Sequence, residues 1–144
     1  MPDSVSADSL HLLRLTASER TRLLRRVPRG VEIYEVNGPF FFGAADKLKD
    51  VLGEIEKKPK AFILRMRNVP AIDATGIHAL EQLALKLKHQ GTTLILAEVR
   101  EQPRSALERA KKFELFENRA KTLDEALDRA ALIAAPDAGH AAAT

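Results

Sequence analysis

The sequence predicts an α/β domain: a largely parallel sheet with helices packed on it. Three observations lead there. Ala61–Met66 (AFILRM) is a nearly continuous apolar run, the pattern of a strand covered on both faces. β-rich segments alternate with segments of helical period, an order that calls for crossover connections between parallel strands. The 144 residues are 45% apolar and 30% charged, which suits one soluble domain with a sizeable core.

Residues 1–18 are polar without periodicity and read as a mostly disordered lead-in, with the linker running to residue 22. Leu23–Val27 reads as a short strand or a helical turn. Pro28–Gly30 is a turn signal. Val31–Val36 (VEIYEV) is β-rich and is expected to pair with Leu23–Val27 as a hairpin. Asn37–Pro39 then bends the chain. From Ala44 the period becomes helical: Ala44, Leu48, Val51, Leu52 and Ile55 share one face, and Asp46, Lys47, Lys49, Asp50, Glu54 and Lys57 the other. Lys57–Lys60 (KKPK) ends that helix.

After the strand Ala61–Met66, Asp73 opens the next helix, with a buried stripe of Ile77, Leu80, Leu83, Ala84 and Leu87 and Gly91 as its C-terminal cap. Thr92–Val99 is the next strand. Pro103 suits the first turn of a helix whose stripe is Ala106, Leu107, Ala110 and Phe113. Thr122–Glu125 (TLDE) matches a capping box and opens a last helix through about Ile133. The domain spans 23–134, and residues 135–144 read as a disordered tail. No internal repeat is present.

Composition excludes several classes. No apolar run has the length to cross a bilayer, and there is no signal-peptide pattern, so this chain alone reads as soluble. Without cysteine there are neither disulfides nor thiolate metal sites. The formal charge is +3. One stretch departs from the interleaved pattern: Arg20, Arg22, Arg25, Arg26 and Arg29 face only Glu19. It reads as a solvated linker or as a segment near anionic lipid. Nucleic acid is not an expected partner, because no aromatics interleave with these arginines.

No metal site is expected. His78 and His89 share a helix face but stand roughly 16 Å apart, too far to share an ion. His11 and His140 lie in the tails. There is no G-x-S-x-G, P-loop or dinucleotide fingerprint, so no catalytic residue is assigned and no cofactor is implied.

Two loops stand out. In Pro39–Asp46 (PFFFGAAD), Phe40, Phe41 and Phe42 cannot all point into one core layer if the segment is extended. Either Phe40 and Phe42 are buried and Phe41 covers a neighbouring element, or one of the three faces a partner. In Asn68–Leu80 (NVPAIDATGIHAL), Asp73 suits an N-cap, Thr75 the first turn, and Gly76 a close backbone approach. A capped helix start also suits an anion. In a parallel sheet these loops and Arg100–Arg104 gather at the carboxyl ends of the strands, where ligands of open α/β sheets bind.

The segments VPRGVEIYEVNGPFFFGAADKL, ILRMRNVPAIDATGIHALEQL and GTTLILAEVREQPRSALERA resemble a STAS domain. The similar branch is the C-terminal cytoplasmic end of SulP-type sulfate permeases and related anion transporters. The resemblance runs from about Val27 to Ala131. It implies a mixed, mostly parallel sheet of four to five strands with about four helices, and an extra strand early in the domain.

It also implies a non-catalytic regulatory role on the cytoplasmic face of the bacterial inner membrane. The partner would be the transporter membrane domain of the same polypeptide, acyl carrier protein or another cytoplasmic protein, or a nucleotide or anion. The basic linker would then follow the last membrane span. The contact loops would be Phe40, Phe41, Phe42, Gly43, Asp73, Ala74, Thr75, Gly76 and His78.

The wider family includes anti-sigma-factor antagonists, in which a serine directly after the loop aspartate is phosphorylated. Here Asp73 is followed by Ala74, which has no hydroxyl, and Thr75 is the remaining, disfavoured acceptor. The alternatives are thus a free-standing signalling protein of that kind, or a nucleotide- or anion-sensing module. The oligomeric state is not legible.

Overall fold

Strand order in the sheet follows chain order, β1-β2-β3-β4-β5, so each strand lies beside its sequence neighbour. A computed structural model describes residues 4, 5, 18, 27–40, 46, 50, 59–116 and 118–135. The strands are β1 (Ser4–Val5), β2 (Val31–Asn37), β3 (Ala61–Asn68), β4 (Thr93–Ala97) and β5 (Arg119–Ala120). The helices among these residues are α1 (Ala74–His89), α2 (Glu101–Arg109) and α3 (Leu123–Ala134), with a 3-10 turn at Phe113–Leu115. β2 through β5 are parallel, and β1 is antiparallel to β2. The expected mixed, mostly parallel α/β architecture is therefore present.

Alternation along the strands builds two cores. Tyr34, Val36, Phe62, Leu64, Met66 and Leu96 join Leu80, Leu83 and Leu87 of α1 and Leu107 of α2 in one buried cluster. Val31, Ile33, Ala61, Ile63, Ile95 and Ala97 join Leu127 and Ala130 of α3 in the other. The apolar run of β3 thus serves both layers, which is why it shows no polar alternation. Fully burying each of its large side chains stabilises by about 1.5–3 kcal/mol.

The helix ends follow local chemistry. Asp73 caps α1, its Oδ1 accepting from the Gly76 N–H at 2.9 Å. Thr122 caps α3 by accepting from Glu125 N–H at 3.1 Å, while Glu125 Oε2 accepts from Lys121 N–H, one residue before the cap. α1 and α2 end alike. The Thr92 N–H reaches Leu87 O and the Gly91 N–H reaches Lys88 O; the Lys112 N–H reaches Leu107 O and the Lys111 N–H reaches Glu108 O. The left-handed residue of this motif is Gly91 (φ 81) in one case and Lys111 (φ 58) in the other.

Several expectations are corrected. The antiparallel neighbour at Ile33 and Tyr34 is Ser4–Val5, not Leu23–Val27, so the stretch read as a structureless lead-in supplies a strand. Two residues are too few to show a period. The same brevity hid β5. The strand expected at Thr92–Val99 is shorter, because Thr92 turns to donate its hydroxyl to Pro59 O (2.7 Å) and Glu98 takes a left-handed φ of 58°. α2 stops at Arg109, which leaves Ala110 as an exposed C-cap rather than part of a buried stripe. Three α-helices are described against about four expected. Of the segment 44–57, Asp46 and Asp50 are helical and exposed, as their place on its polar face requires. The rest of that segment, residues 20–26, Phe41, Phe42, Gly43 and the tail from 136 lie outside the described residues.

Candidate functional site

The ends of β2 and β3 leave the sheet as a pair. After Glu35 the register with β3 shifts, and Asn37 comes to lie beside Asn68, whose Nδ2 donates to Asn37 Oδ1 at 2.8 Å. Gly38 (φ 99) turns the chain. Its N–H reaches Asn68 O, the Phe40 N–H reaches Ala71 O, and Phe40 forms an isolated parallel bridge with Ile72. The first turn of α2, expected as a loop, joins through Gln102, whose Oε1 accepts from the Ile72 N–H (2.8 Å) and whose Nε2 donates to Ile72 O (3.4 Å). Of the three segments expected at the carboxyl ends of the strands, Phe40 and Gln102 both meet Ile72, one residue before Asp73.

The depth of each residue was less legible. Phe40 and Ile72 are buried in the core. Gly76 is buried too, and the close approach it permits is to the Phe40 backbone of the same chain: a Cβ there would overlap the Phe40 carbonyl oxygen. Phe40 and Gly76 therefore form a base below the surface. Asp73, Ala74, Thr75 and His78 are exposed above it. His78 Nδ1 stands 4.0 Å from Glu81 Oε1, and Glu81 is bound to Lys112 Nζ at 2.8 Å, tying α1 to the end of α2.

The helix start is poorly set up for an anion. The Asp73 carboxylate already occupies it and consumes the Gly76 N–H, so a bound anion would face a like charge.

Beside these loops lies a charged group that sequence reasoning missed. Glu35 and Arg65 are register partners on β2 and β3, each 1% exposed. Arg65 Nη1 lies 3.5 Å from Glu35 Oε2, and Arg65 Nε donates to Glu98 Oε2 at 2.5 Å. Glu98 reaches in from just beyond β4, its left-handed backbone held by a hydrogen bond from its N–H to Ala120 O (2.9 Å). A buried guanidinium between two carboxylates locks three strand ends together. The available signal was a pair of acids in β2 (Glu32, Glu35) and a pair of arginines in β3 (Arg65, Arg67), opposite signs set among apolar residues.

Among the described residues no group of three or more His, Asp or Glu is placed to hold a metal, and no helix is long and apolar enough to cross a membrane.

Comparison with known proteins bears on this arrangement. A family model described as the STAS domain matches residues 23–126. The putative sulfate transporter YvdB of Bacillus subtilis (strain 168) is 33% identical over 86 residues, covering 59% of this chain and 16% of that protein. The chain thus spans only a small part of the length of this curated relative. A crystal structure of a sulfate transporter family protein from Wolinella succinogenes superposes with a TM-score of 0.72 at 50% identity, covering 77% of this chain and 93% of that one. The SulP transporter STAS domain from Vibrio cholerae superposes with a TM-score of 0.68 at 28% identity, covering 81% and 96%.

Proposed function

The chain belongs to the STAS-domain family, and on that premise we propose that it is the non-catalytic regulatory module of a bacterial sulfate or anion transporter. It works by docking the surface of Asp73, Ala74, Thr75 and His78 onto the transporter membrane domain of the same polypeptide, at the cytoplasmic face of the inner membrane. The observation that carries this reading is the construction of the surface. Four exposed residues stand on a base of Phe40, Ile72 and Gly76 that hydrogen bonds and close packing hold in place. A pre-formed surface docks without the entropic penalty of ordering a loop. The kinship to sulfate transporter proteins supports the choice of partner.

Photo-crosslinking in membranes tests it. In the full-length transporter a photoreactive residue at His78 should crosslink to the membrane-spanning segments of its own polypeptide. One at Leu132, exposed on α3 and packed over the other face of the sheet, should not. Capture of soluble protein alone from His78 overturns the reading.

A free-standing anti-sigma-factor-antagonist-like protein is the alternative, and Ala74 speaks against it. The residue after the loop aspartate has no oxygen to carry a phosphate. Mass spectrometry after incubation with cell lysate and ATP should find Thr75 unmodified; stoichiometric phosphate there would favour the alternative.

A further inference from the structure

A cleft separate from the docking surface opens at the β4–β5 edge of the sheet. It has a volume of about 410 Å³, and its lining includes Arg104 of α2, Arg119 of β5, Arg129 of α3, and Lys121 from the turn between β5 and α3. The carboxylates in the lining are Glu98 and Glu125. Glu98 is bound to Arg65, while Glu125 accepts from the Lys121 N–H and lies 3.6 Å from Arg129. Four cations against two carboxylates leave two positive charges over. Outside the cleft Arg104 also meets Glu108, at 3.4 Å between two well-exposed side chains, a contact of little strength.

Two of the cations are organised by one ring. The Arg119 guanidinium lies 4.1 Å from the centroid of Phe113, and its Nη1 donates to Phe113 O at 3.1 Å. The Arg104 guanidinium lies 5.9 Å from the same centroid. The two guanidiniums are therefore no more than about 10 Å apart, held by cation–π contacts. Guanidinium is the side chain best suited to bidentate capture of a tetrahedral oxyanion. The wall beside the charges is apolar, made by Val99, Ala120 and Phe113, and the space exceeds what an oxyanion alone would fill.

We propose that this cleft binds a small phosphomonoester: its dianionic phosphate between Arg104, Arg119, Lys121 and Arg129, its organic body against Val99, Ala120 and Phe113. The excess charge matches the dianion, and the apolar wall distinguishes an ester from a bare ion. The cleft shares no residue with the Asp73–His78 surface, so this site stands or falls independently of the docking role.

The test is an amide NMR titration of the whole chain at fixed ionic strength and neutral pH. The probes are phenyl phosphate, inorganic phosphate and sodium chloride. Phenyl phosphate should give saturable shifts at Val99, Phe113, Ala120, Lys121 and Arg129 and none at Asp73–His78, and should bind at least several-fold more tightly than inorganic phosphate. Lys121→Gln and Arg129→Gln, both at exposed positions, should each weaken it by about tenfold. Equal affinity for the two phosphates overturns the monoester assignment. Shifts no larger than those from chloride, or unaffected by both substitutions, overturn the site.

Discussion

Gly76 and Phe40 are in backbone contact: a Cβ at position 76 would overlap the Phe40 carbonyl oxygen and stand 2.7 Å from Ile72 Cγ1. Gly76→Ala should therefore destabilise the fold by roughly 2–4 kcal/mol, as overpacking and a backbone clash do. An open helix interior would gain about 1 kcal/mol from the same change. Urea denaturation decides between them by sign, and a more stable variant would mean the contact is not there.

Asp73→Ala removes the side-chain acceptor of the Gly76 N–H and should lower stability by about 1 kcal/mol. Asp73→Asn retains an acceptor oxygen and should lose less. Thermal melts of the two variants measure the difference; an unchanged Tm for Asp73→Ala would show that the cap contributes nothing.

Arg65→Met leaves the buried Glu35 carboxylate without its register partner and Glu98 without its donor. Breaking a buried ionic group from one side costs about 3–5 kcal/mol. Adding Glu35→Leu to Arg65→Met should restore a substantial part of that loss, because the buried carboxylate facing position 65 is then gone. Guanidinium denaturation of the single and double variants reads this directly, and a double variant no more stable than the single one contradicts it.

Lys111 holds the left-handed place after α2 that Gly91 holds after α1. Its side chain is exposed. A non-glycine residue there carries a steric penalty, offset in part by the entropy glycine adds to the unfolded chain. Lys111→Gly should raise stability by about 0.5–1 kcal/mol, seen as a higher urea midpoint at unchanged slope.

Sequence pattern reached far where it was long. The run Ala61–Met66, the stripe Leu80–Leu83–Leu87 and the spacing from Asp73 to Gly76 each span enough residues to show their period or their cap. The strands Ser4–Val5 and Arg119–Ala120 are too short to have a period at all. Register is a property of two segments at once, so the facing of Glu35 and Arg65 could not be seen from either strand alone. The same holds for the cleft, whose four cations come from separate elements. Depth was the remaining gap. The alternative that buries Phe40 and the close approach at Gly76 both hold, but that the two approach each other, beneath the exposed Asp73–Thr75, needed three-dimensional packing to see.

Strand order that repeats chain order has a consequence for synthesis. Each strand from β2 onward can join the edge left by the one before it as the chain leaves the ribosome, with none inserted between partners already paired. Arg65 meets Glu35 when β3 docks, but Glu98 is translated 33 residues later. Until then the nascent sheet ends at β3, with Glu35 already facing the arginine and the Glu98 acceptor still to come. Glu98 then supplies the acceptor for Arg65 Nε just as β4 covers that edge, so the hydrogen bond that ties β3 to the end of β4 closes last.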